Sequence, residues 1–256
     1  MSTAVVFTCS HADPGVNNER FSWLGNFIYD LKPDMVVDLG DGADMRSLNS
    51  YDTRYPENIV SQSYEADIEV YNDAQERLRW KFRHNRKKKP TWIGFEGNHE
   101  NRIKKALAHD PRLEGQKYGV SFSHLQTNHW FNEYHEYHNS GPALANYEGI
   151  IYGHFVSGGN FGTAISGLHH ANSLLTKLSH SVTVGHSHKF DYKYKGDAVP
   201  YPIHALVAGC FKGKEESWAG QANREWRSGV AVKRNINNGD YDLEWVSLKQ
   251  LEREYS

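Results

Sequence analysis

Cysteine is scarce in this sequence: only Cys9 and Cys210 occur among its 256 residues. Two cysteines cannot build the disulfide framework typical of small secreted domains, so we expect a reducing, cytoplasmic compartment. Long hydrophobic runs are also missing, since no stretch approaches the roughly 20 apolar residues that a membrane helix needs. The first residues, MSTAVVFTCSH, show no basic segment followed by an apolar core. We therefore expect neither a membrane helix nor a secretory signal.

An excess of charge of either sign is missing as well. The 29 Lys and Arg residues and the 31 Asp and Glu residues leave a formal net charge of −2. Such a chain is not a polycation that coats nucleic acid, and any electrostatic binding of nucleic acid must be local. Hydrophobic residues make up 38% and charged residues 23%, which excludes a disordered chain. The length suits one domain with its own core, and we predict a single domain over residues 1–256.

The first hundred residues alternate between strand and helix patterns. Short apolar, β-branched runs predict strands at residues 4–8, 35–39 and 91–95. Apolar residues at helical spacing predict helices from Asn17 or Asn18 to Pro33, over about 66–86, and over 101–108. This order predicts an α/β protein whose functional loops lie at the carboxyl ends of the strands.

The second half of the chain is richer in strands. We predict them at residues 149–152, 181–184, 190–194, 202–207, 229–234 and 241–246, with one helix over about 163–178. The turn Asn237-Asn238-Gly239-Asp240 predicts a C-terminal β-hairpin over 229–248. We expect two sheets packed face to face as a β-sandwich, with helices on the outside. The segment 110–148, rich in His and aromatic residues, is a candidate loop or lid that selects the substrate.

Polar clusters that contain metal-ligand residue types follow the predicted strands. The sequence holds 15 histidines, and histidine is the usual imidazole ligand of transition metals. Most of them belong to no motif, and His169 and His170 fall inside a predicted helix. The clusters are Cys9-Ser10-His11, Gly40-Asp41-Gly42-Ala43-Asp44, Gly97-Asn98-His99-Glu100, Gly153-His154 and Gly185-His186-Ser187-His188.

These residue types suit a pair of divalent ions. Divalent ions bind carboxylate, imidazole and amide oxygen ligands, and strand ends bring such residues together. Asp41 is the candidate carboxylate that bridges two ions about 3.5–4 Å apart. His186 and His188 point to the same side if their segment is extended, so that each can serve one ion. Asn98 offers an amide oxygen, and the adjacent His99 is free to donate a proton.

In this order, the motifs resemble those of the calcineurin-like metallophosphoesterase superfamily. The shared pattern is GD-x-x-D, then GNHE, a lone GH and GH-x-H, and it covers about residues 4–212. The runs KPDMVVDLGDGADMRSLNSYD and GNHENRI further resemble the metallophosphoesterases encoded by tailed bacteriophages and prophages. The resemblance implies a four-layer α/β/β/α fold. It also implies hydrolysis of phosphodiester or phosphomonoester bonds, in particular those of nucleotides or nucleic acid.

The resemblance implies roles for single residues as well. Two divalent ions, Mn²⁺ or else Zn²⁺ or Fe²⁺, would share Asp41, and a metal-bound hydroxide would attack phosphorus. His99 would be the general acid, oriented by Asp44, and Arg102 and Asn98 would bind the substrate. The first ion would be held by Cys9, His11 and His188, and the second by Asn98, His154 and His186.

One residue departs from the superfamily pattern, which normally begins with Asp-x-His where this chain has Cys9-Ser10-His11. Three alternatives stay open. Cys9 is a ligand that favours zinc or iron over magnesium, or it is no ligand and Asp13 helps to hold a weaker first ion. In the third alternative the site is inactive, and the protein is a binding or structural component that keeps the fold without turnover.

Two other features also leave alternatives open. The basic stretch at residues 83–89 is either a solvated helix end, where cations are favourable, or a patch that attracts nucleic acid or polyphosphate. A separate alternative for the whole protein is a cytosolic nuclease that needs a partner for access to DNA. Cys210 is either a buried thiol without a role or a residue near the substrate phosphate.

Overall fold

The apolar runs at residues 4–8, 35–39 and 91–95 form neighbouring strands, as the sequence predicts. The structure is a computed structural model that describes residues 1–49, 62–83, 89–138, 141–158, 162–196 and 201–256. Within these residues the strands are β1 (Ser2–Phe7), β2 (Met35–Asp38), β3 (Thr91–Phe95), β4 (Glu133–His135), β5 (Leu144–Tyr147), β6 (Ile150–Gly153), β7 (Val182–Val184), β8 (Phe190–Lys195), β9 (Ile203–Ala208), β10 (Gly229–Asn237) and β11 (Asp240–Ser247). The helices are α1 (Glu19–Leu31), α2 (Tyr64–Arg83), α3 (Asn101–His109), α4 (Thr127–Trp130), α5 (His170–Leu178) and α6 (Leu248–Tyr255).

The described strands form two sheets. The first has the order β11-β10-β1-β2-β3-β4, and the second has the order β5-β6-β7-β9-β8. β1 to β4 are parallel, as are β6, β7 and β9. The predicted C-terminal hairpin is confirmed as β10 and β11, and β10 extends the first sheet by pairing antiparallel with β1. The carboxyl ends of the parallel strands therefore carry loops that meet at one edge of each sheet.

Alternate residues along the strands divide the core into layers. Val6 of β1 packs with Tyr152 of β6 in a buried cluster between the two sheets. The next residue, Phe7, faces the other way and packs in a cluster with Leu24 of α1. A third cluster joins Leu174 of α5 to the outer face of the second sheet. The layers are thus helix, sheet, sheet and helix, which confirms the predicted α/β class and the two-sheet sandwich flanked by helices.

The helix predicted over about 163–178 is wrong at its start, because α5 begins only at His170. Gly167 has a φ of +119°, which a right-handed helix does not contain. Before it, the N–H of Ile165 donates to the carbonyl of Val156 at 2.9 Å, and residues 157 and 164 form a β-bridge. His169 therefore lies before the helix, and only His170 lies within it.

The segment 110–148 contributes two strands that the sequence patterns do not predict. β4 pairs parallel with β3, and β5 pairs antiparallel with β6. Each is an outer strand of its sheet in the described residues, so the segment reaches both layers. A role for the segment as a lid stays a prediction.

Two further expectations concern the helices. In the part of the chain described, no helix combines the length and the apolar character that crossing a membrane requires. α2 ends at Arg83, and residues 84–88 of the basic stretch lie outside the described residues. The two interpretations of that stretch therefore stay predictions.

Candidate metal centre

The loops that carry the predicted metal ligands have an unusual backbone. Positive φ angles, from +44° to +67°, occur at five of the seven predicted ligands. A non-glycine residue with this left-handed backbone conformation costs roughly 1–2 kcal/mol, and such strain is concentrated at functional sites. Tertiary contacts must therefore hold these turns. The five residues are Cys9, His11, Asp41, His186 and His188.

The first group of donor atoms is the set predicted for the first ion. The Sγ of Cys9 and ring nitrogens of His11 and His188 all lie within 4.8 Å of one another. The Nε2 atoms of His11 and His188 are 3.1 Å apart. The Nδ1 of His11 lies 2.8 Å from the Oδ1 of Asp44, so Nε2 of the neutral ring carries a lone pair. A sulfur and two imidazoles form a donor set suited to zinc or iron.

The sulfur of Cys9 is fully buried and has two polar neighbours. The backbone N–H of His186 donates to Sγ at 3.2 Å, and the Oγ1 of Thr8 also lies 3.2 Å away. Burial raises the pKa of the thiol, and the charge of Asp41 adds to this. A bound cation reverses such a shift, because a coordinating thiol loses its proton. The position of Cys9 within the donor group favours its interpretation as a ligand.

Asp13, the alternative ligand, is engaged elsewhere. Its Oδ2 lies 3.0 Å from the Nζ of Lys214 and 3.5 Å from the Nη1 of Arg46. Its Oδ1 accepts the N–H of Gly15 at 2.7 Å. The donor groups found among the described residues do not include Asp13. The geometry thus favours Cys9 over Asp13 as the ligand.

The second group of donor atoms contains the residues predicted for the second ion. The Oδ1 of Asn98 lies 3.0 Å from the Nε2 of His154 and 2.8 Å from the Nδ1 of His186. These two ring nitrogens are 3.2 Å apart. The Nδ1 of His154 lies 2.7 Å from the carbonyl oxygen of Leu39, which makes Nδ1–H the donor and leaves a lone pair on Nε2 of the neutral ring.

Lone pairs of this second group face one another. The Nε2 of His154 lies 3.0 Å from the Asn98 oxygen and 3.2 Å from the Oδ2 of Asp41. With a neutral imidazole, all three atoms are acceptors. A proton on Nε2 satisfies the contact with Asp41, and a shared cation satisfies all three atoms together. The distances between these donor atoms are also those expected between ligands that each lie about 2.0–2.2 Å from one metal ion. The residues present therefore fit a metal ion.

Asp41 joins the two groups. Its carboxylate lies within 4.8 Å of donor atoms of Cys9 and His154, and also of His11 and His99. Burial opposes its ionisation, but the charges of the surrounding histidines, His154 first, hold the pKa of Asp41 well below its ordinary value. The carboxylate is thus placed between the two groups, as the sequence analysis predicts for a bridging ligand.

Glu100 fixes the Asp41 loop, a role that sequence reasoning missed. Its Oε2 accepts the N–H groups of Asp41 at 3.0 Å and Gly97 at 2.9 Å, and its Oε1 accepts that of Ala43 at 2.8 Å. Burial and the charge of Asp41 raise the pKa of Glu100 to about 7. Glu100 is the last residue of the GNHE motif, so this motif is the sequence feature from which its role could have been predicted.

His99 lies beside both donor groups with its orientation fixed. Its Nδ1 donates to the carbonyl oxygen of Asp44 at 2.7 Å and lies 3.1 Å from the Oδ1 of Asp44. Its backbone N–H donates to Asp41 at 2.9 Å. Arg102 donates to the same Asp44 carbonyl at 2.8 Å, and its Nη2 lies 3.3 Å from the Nε2 of His99. Asp44 contacts His99 as expected, and it also contacts His11.

The electrostatics keep most of these imidazoles neutral. Burial, with a contribution from the charge of His99, lowers the pKa of His11 to about 4. Burial likewise lowers the pKa of His186 to about 4 and that of His188 to about 2. For His154 burial acts in the same direction, but the charge of Asp41 outweighs it and raises the pKa. Neutral imidazole is the form that binds metal ions.

A cavity of about 500 Å³ opens beside these groups. Most of the predicted site residues line it, including His99 and Arg102, whereas Cys9 and His154 are fully buried behind its surface. Four lining residues were not predicted from the sequence: Arg46, Asn49, Lys212 and Glu216. Cys210 does not belong to the lining; it is buried, with its Sγ 3.5 Å from the Oγ of Ser228.

Comparison with known proteins gives little further information. No family model and no curated protein matches the chain. The chain is similar to a conserved predicted phosphoesterase from Streptococcus pneumoniae TIGR4, with 12% identity over 97% of this chain and 90% of that one, at a TM-score of 0.36. It is also similar to Yfce, a phosphoesterase from E. coli, with 12% identity over 96% of this chain and 99% of that one, at a TM-score of 0.40.

Proposed function

We propose that this protein is a metal-dependent phosphoesterase of the calcineurin-like type, which hydrolyses phosphodiesters of nucleotides or nucleic acid at a two-metal centre. The observation that carries the proposal is the convergence of two donor groups on one carboxylate, Asp41, beside a 500 Å³ cavity. Three residues form each group: Cys9, His11 and His188 in the first, and Asn98, His154 and His186 in the second.

Each donor group would hold one divalent ion, with Asp41 shared between them. When bound, the ions supply Lewis-acid stabilisation of the phosphoryl oxygens and lower the pKa of a water molecule. The nitrogen and oxygen donors of the second group suit Mn²⁺, and the sulfur of Cys9 makes the first group the softer of the two. The buried, largely neutral imidazoles are in the form that this binding needs.

His99 would donate a proton to the leaving-group oxygen. Its Nδ1 is held by Asp44, so Nε2, which lies 3.3 Å from the Nη2 of Arg102, is the nitrogen that would act on a substrate in the cavity. The carboxylate of Asp44, 3.1 Å from the ring, stabilises the imidazolium that carries the proton. General acid catalysis of this kind contributes typically 10²–10⁴-fold to the rate.

Arg102 would bind a phosphate oxygen beside His99. Its Nη1 is anchored on the Asp44 carbonyl, and its Nη2 reaches the Nε2 of His99 in the cavity. A guanidinium suits phosphate because its planar N–H groups match the spacing of two oxygens. The anchor limits the freedom of the side chain, so less entropy is lost when a substrate binds.

The test is hydrolysis of bis(p-nitrophenyl) phosphate by protein that is stripped with a chelator and reloaded separately with Mn²⁺, Zn²⁺ or Mg²⁺. We expect turnover to return with Mn²⁺ or Zn²⁺ and to fall at least 100-fold in Asp41→Ala and His99→Ala. His109→Ala is the matched control, because His109 is an exposed histidine at the end of α3. This control should keep the wild-type rate.

Two results would contradict the proposal. In the first, none of the metals restores turnover although the protein is folded and binds metal. This result would favour a binding protein without catalytic activity. The other is turnover that survives both Asp41→Ala and His99→Ala, since that would place the chemistry elsewhere.

A further inference from the structure

The cavity carries an ion pair that belongs to neither donor group. The Nζ of Lys212 lies 2.7 Å from the Oε1 of Glu216. The side chains are 5% and 15% exposed, and both residues line the cavity together with His188 and His99. A charge pair in this position faces whatever the cavity binds.

The surrounding contacts hold both members of the pair in place. The backbone N–H of Glu216 donates to the Oδ1 of Asn223 at 2.9 Å, and its carbonyl accepts the Nδ2 of Asn223 at 2.7 Å. The Nζ of Lys212 lies 5.2 Å from the centroid of the Trp226 ring, and that ring lies 4.4 Å from the ring of His188. The pair is therefore fixed next to the first donor group.

The pair determines how much positive charge a substrate meets. Glu216 neutralises Lys212 from within the cavity. The other Lys and Arg residues of the lining are Arg46, which lies 3.5 Å from the Oδ2 of Asp13, and Arg102, which donates to the Asp44 carbonyl. A phosphomonoester carries two negative charges above a second pKa of roughly 6, whereas a diester carries one. Because Coulomb energy scales with charge, the Glu216 carboxylate opposes the dianion more strongly than the monoanion.

We propose that Glu216 is a specificity-determining residue: by neutralising Lys212 in the cavity, it makes the site prefer monoanionic phosphodiesters over dianionic phosphomonoesters. This inference rests on the proposed function, because it assumes that the cavity binds the reacting phosphate. It adds a physical reason for diester preference that the metal ligands alone do not provide.

The test compares two substrates that differ by one methyl group, p-nitrophenyl phosphate and methyl p-nitrophenyl phosphate, at pH 8 in Mn²⁺-loaded protein. The readout is the ratio of kcat/KM for the diester to that for the monoester. Glu216→Gln frees the charge of Lys212, so the ratio should fall by about 10-fold. Lys212→Met leaves the carboxylate unpaired, so the ratio should rise by a similar factor.

The opposite signs of these two changes are the decisive feature. A pair that only stabilised the loop would move the ratio in the same direction, or not at all, in both variants. Glu216→Asp keeps the charge and should stay near the wild-type ratio. Glu215→Gln and Lys249→Met are the matched controls, because both residues are exposed and neither belongs to the cavity lining.

Binding of inorganic phosphate gives a second readout that does not need turnover. Its dissociation constant, measured by calorimetry, should fall in Glu216→Gln and rise in Lys212→Met, while that of dimethyl phosphate changes less. Wild-type turnover with an unchanged ratio in both variants would overturn this inference and leave the proposed function intact. No turnover of either substrate by the wild-type protein would overturn the proposed function, and this inference with it.

Discussion

Lys233 offers a quantitative test of the electrostatics inside this fold. It lies on β10 between the two sheets and is fully buried. Its Nζ donates to the hydroxyl of Tyr152 at 3.3 Å and to that of Thr183, and it lies 4.5 and 4.4 Å from the ring centroids of Tyr152 and Tyr241. Burial lowers the pKa of this ammonium well below its ordinary value of 10.5.

The sign of the pH dependence follows from that shift. Between the folded-state and unfolded-state pKa values, the unfolded chain binds more protons than the folded one. The free energy of unfolding therefore rises with pH across this window, by about 1.4 kcal/mol per pH unit, until pH passes the unfolded-state pKa. Lys233→Met removes this slope and keeps an unbranched chain of similar length.

The size of the effect at pH 7 can be bounded. Holding the group neutral there costs at most about 5 kcal/mol, since pH 7 lies 3.5 units below the ordinary pKa of 10.5. Against this, the variant loses two hydrogen bonds worth about 1 kcal/mol each. We expect Lys233→Met to be more stable than the wild type by about 1–3 kcal/mol at pH 7.

The assay is urea unfolding of both proteins at pH 7, 8, 9 and 10 in the presence of chelator. Titration of the other groups is common to the two proteins, so it cancels in the difference. The advantage of Lys233→Met should shrink as pH rises, while Lys249→Met, which changes an exposed lysine of α6, should show no such trend. A difference that does not vary with pH would refute the reasoning, because it would mean that Lys233 keeps its ordinary pKa.

Three predictions concern the site. Cys9→Ser should abolish the near-ultraviolet thiolate-to-cobalt absorption of Co²⁺-loaded protein, whereas retention of the band would show that the sulfur is no ligand. In Gly97→Ala the new Cβ would lie 2.2 Å from the N and Oδ1 of Asp41, so the Asp41 carboxylate must move. We expect Mn²⁺ binding, measured by calorimetry, to weaken by about 10-fold or more. An unchanged affinity would contradict a role for the loop that carries Gly97. Asp44→Asn should lower the diester kcat by about 10–100-fold, since His99 loses its carboxylate partner, and an unaltered kcat would argue against that role.

Much of the fold was predictable where short apolar runs are bounded by turn residues. β3 coincides with its prediction, and the hairpin turn around Gly239 was marked by its sequence. β4 was missed because three residues, Glu133 to His135, are too few to show alternation, and their pairing with β3 is a tertiary contact. The start of α5 was misplaced because apolar spacing continued through Gly167, whose positive φ is set by the loop.

The candidate site was predictable to the extent that its residues follow strands. The seven predicted ligands lie in loops whose positions depend on parallel strands, so a strand-end pattern is enough to predict that they lie close together. Their binding of metal ions stays a prediction. Lys212 and Glu216 belong to no motif, and their place in the cavity depends on how the loop after β9 folds back over the first donor group. That information is absent from local sequence, because it comes from contacts such as the one between Trp226 and His188.

The central claim is that two divalent ions bind on either side of Asp41. Anomalous X-ray diffraction from crystals of the Mn²⁺-loaded protein tests it most directly. The account predicts two anomalous peaks, one among the donors of Cys9, His11 and His188 and one among those of Asn98, His154 and His186, with Asp41 contacting both. A peak in only one group, or peaks only away from both groups under saturating Mn²⁺, would contradict the claim.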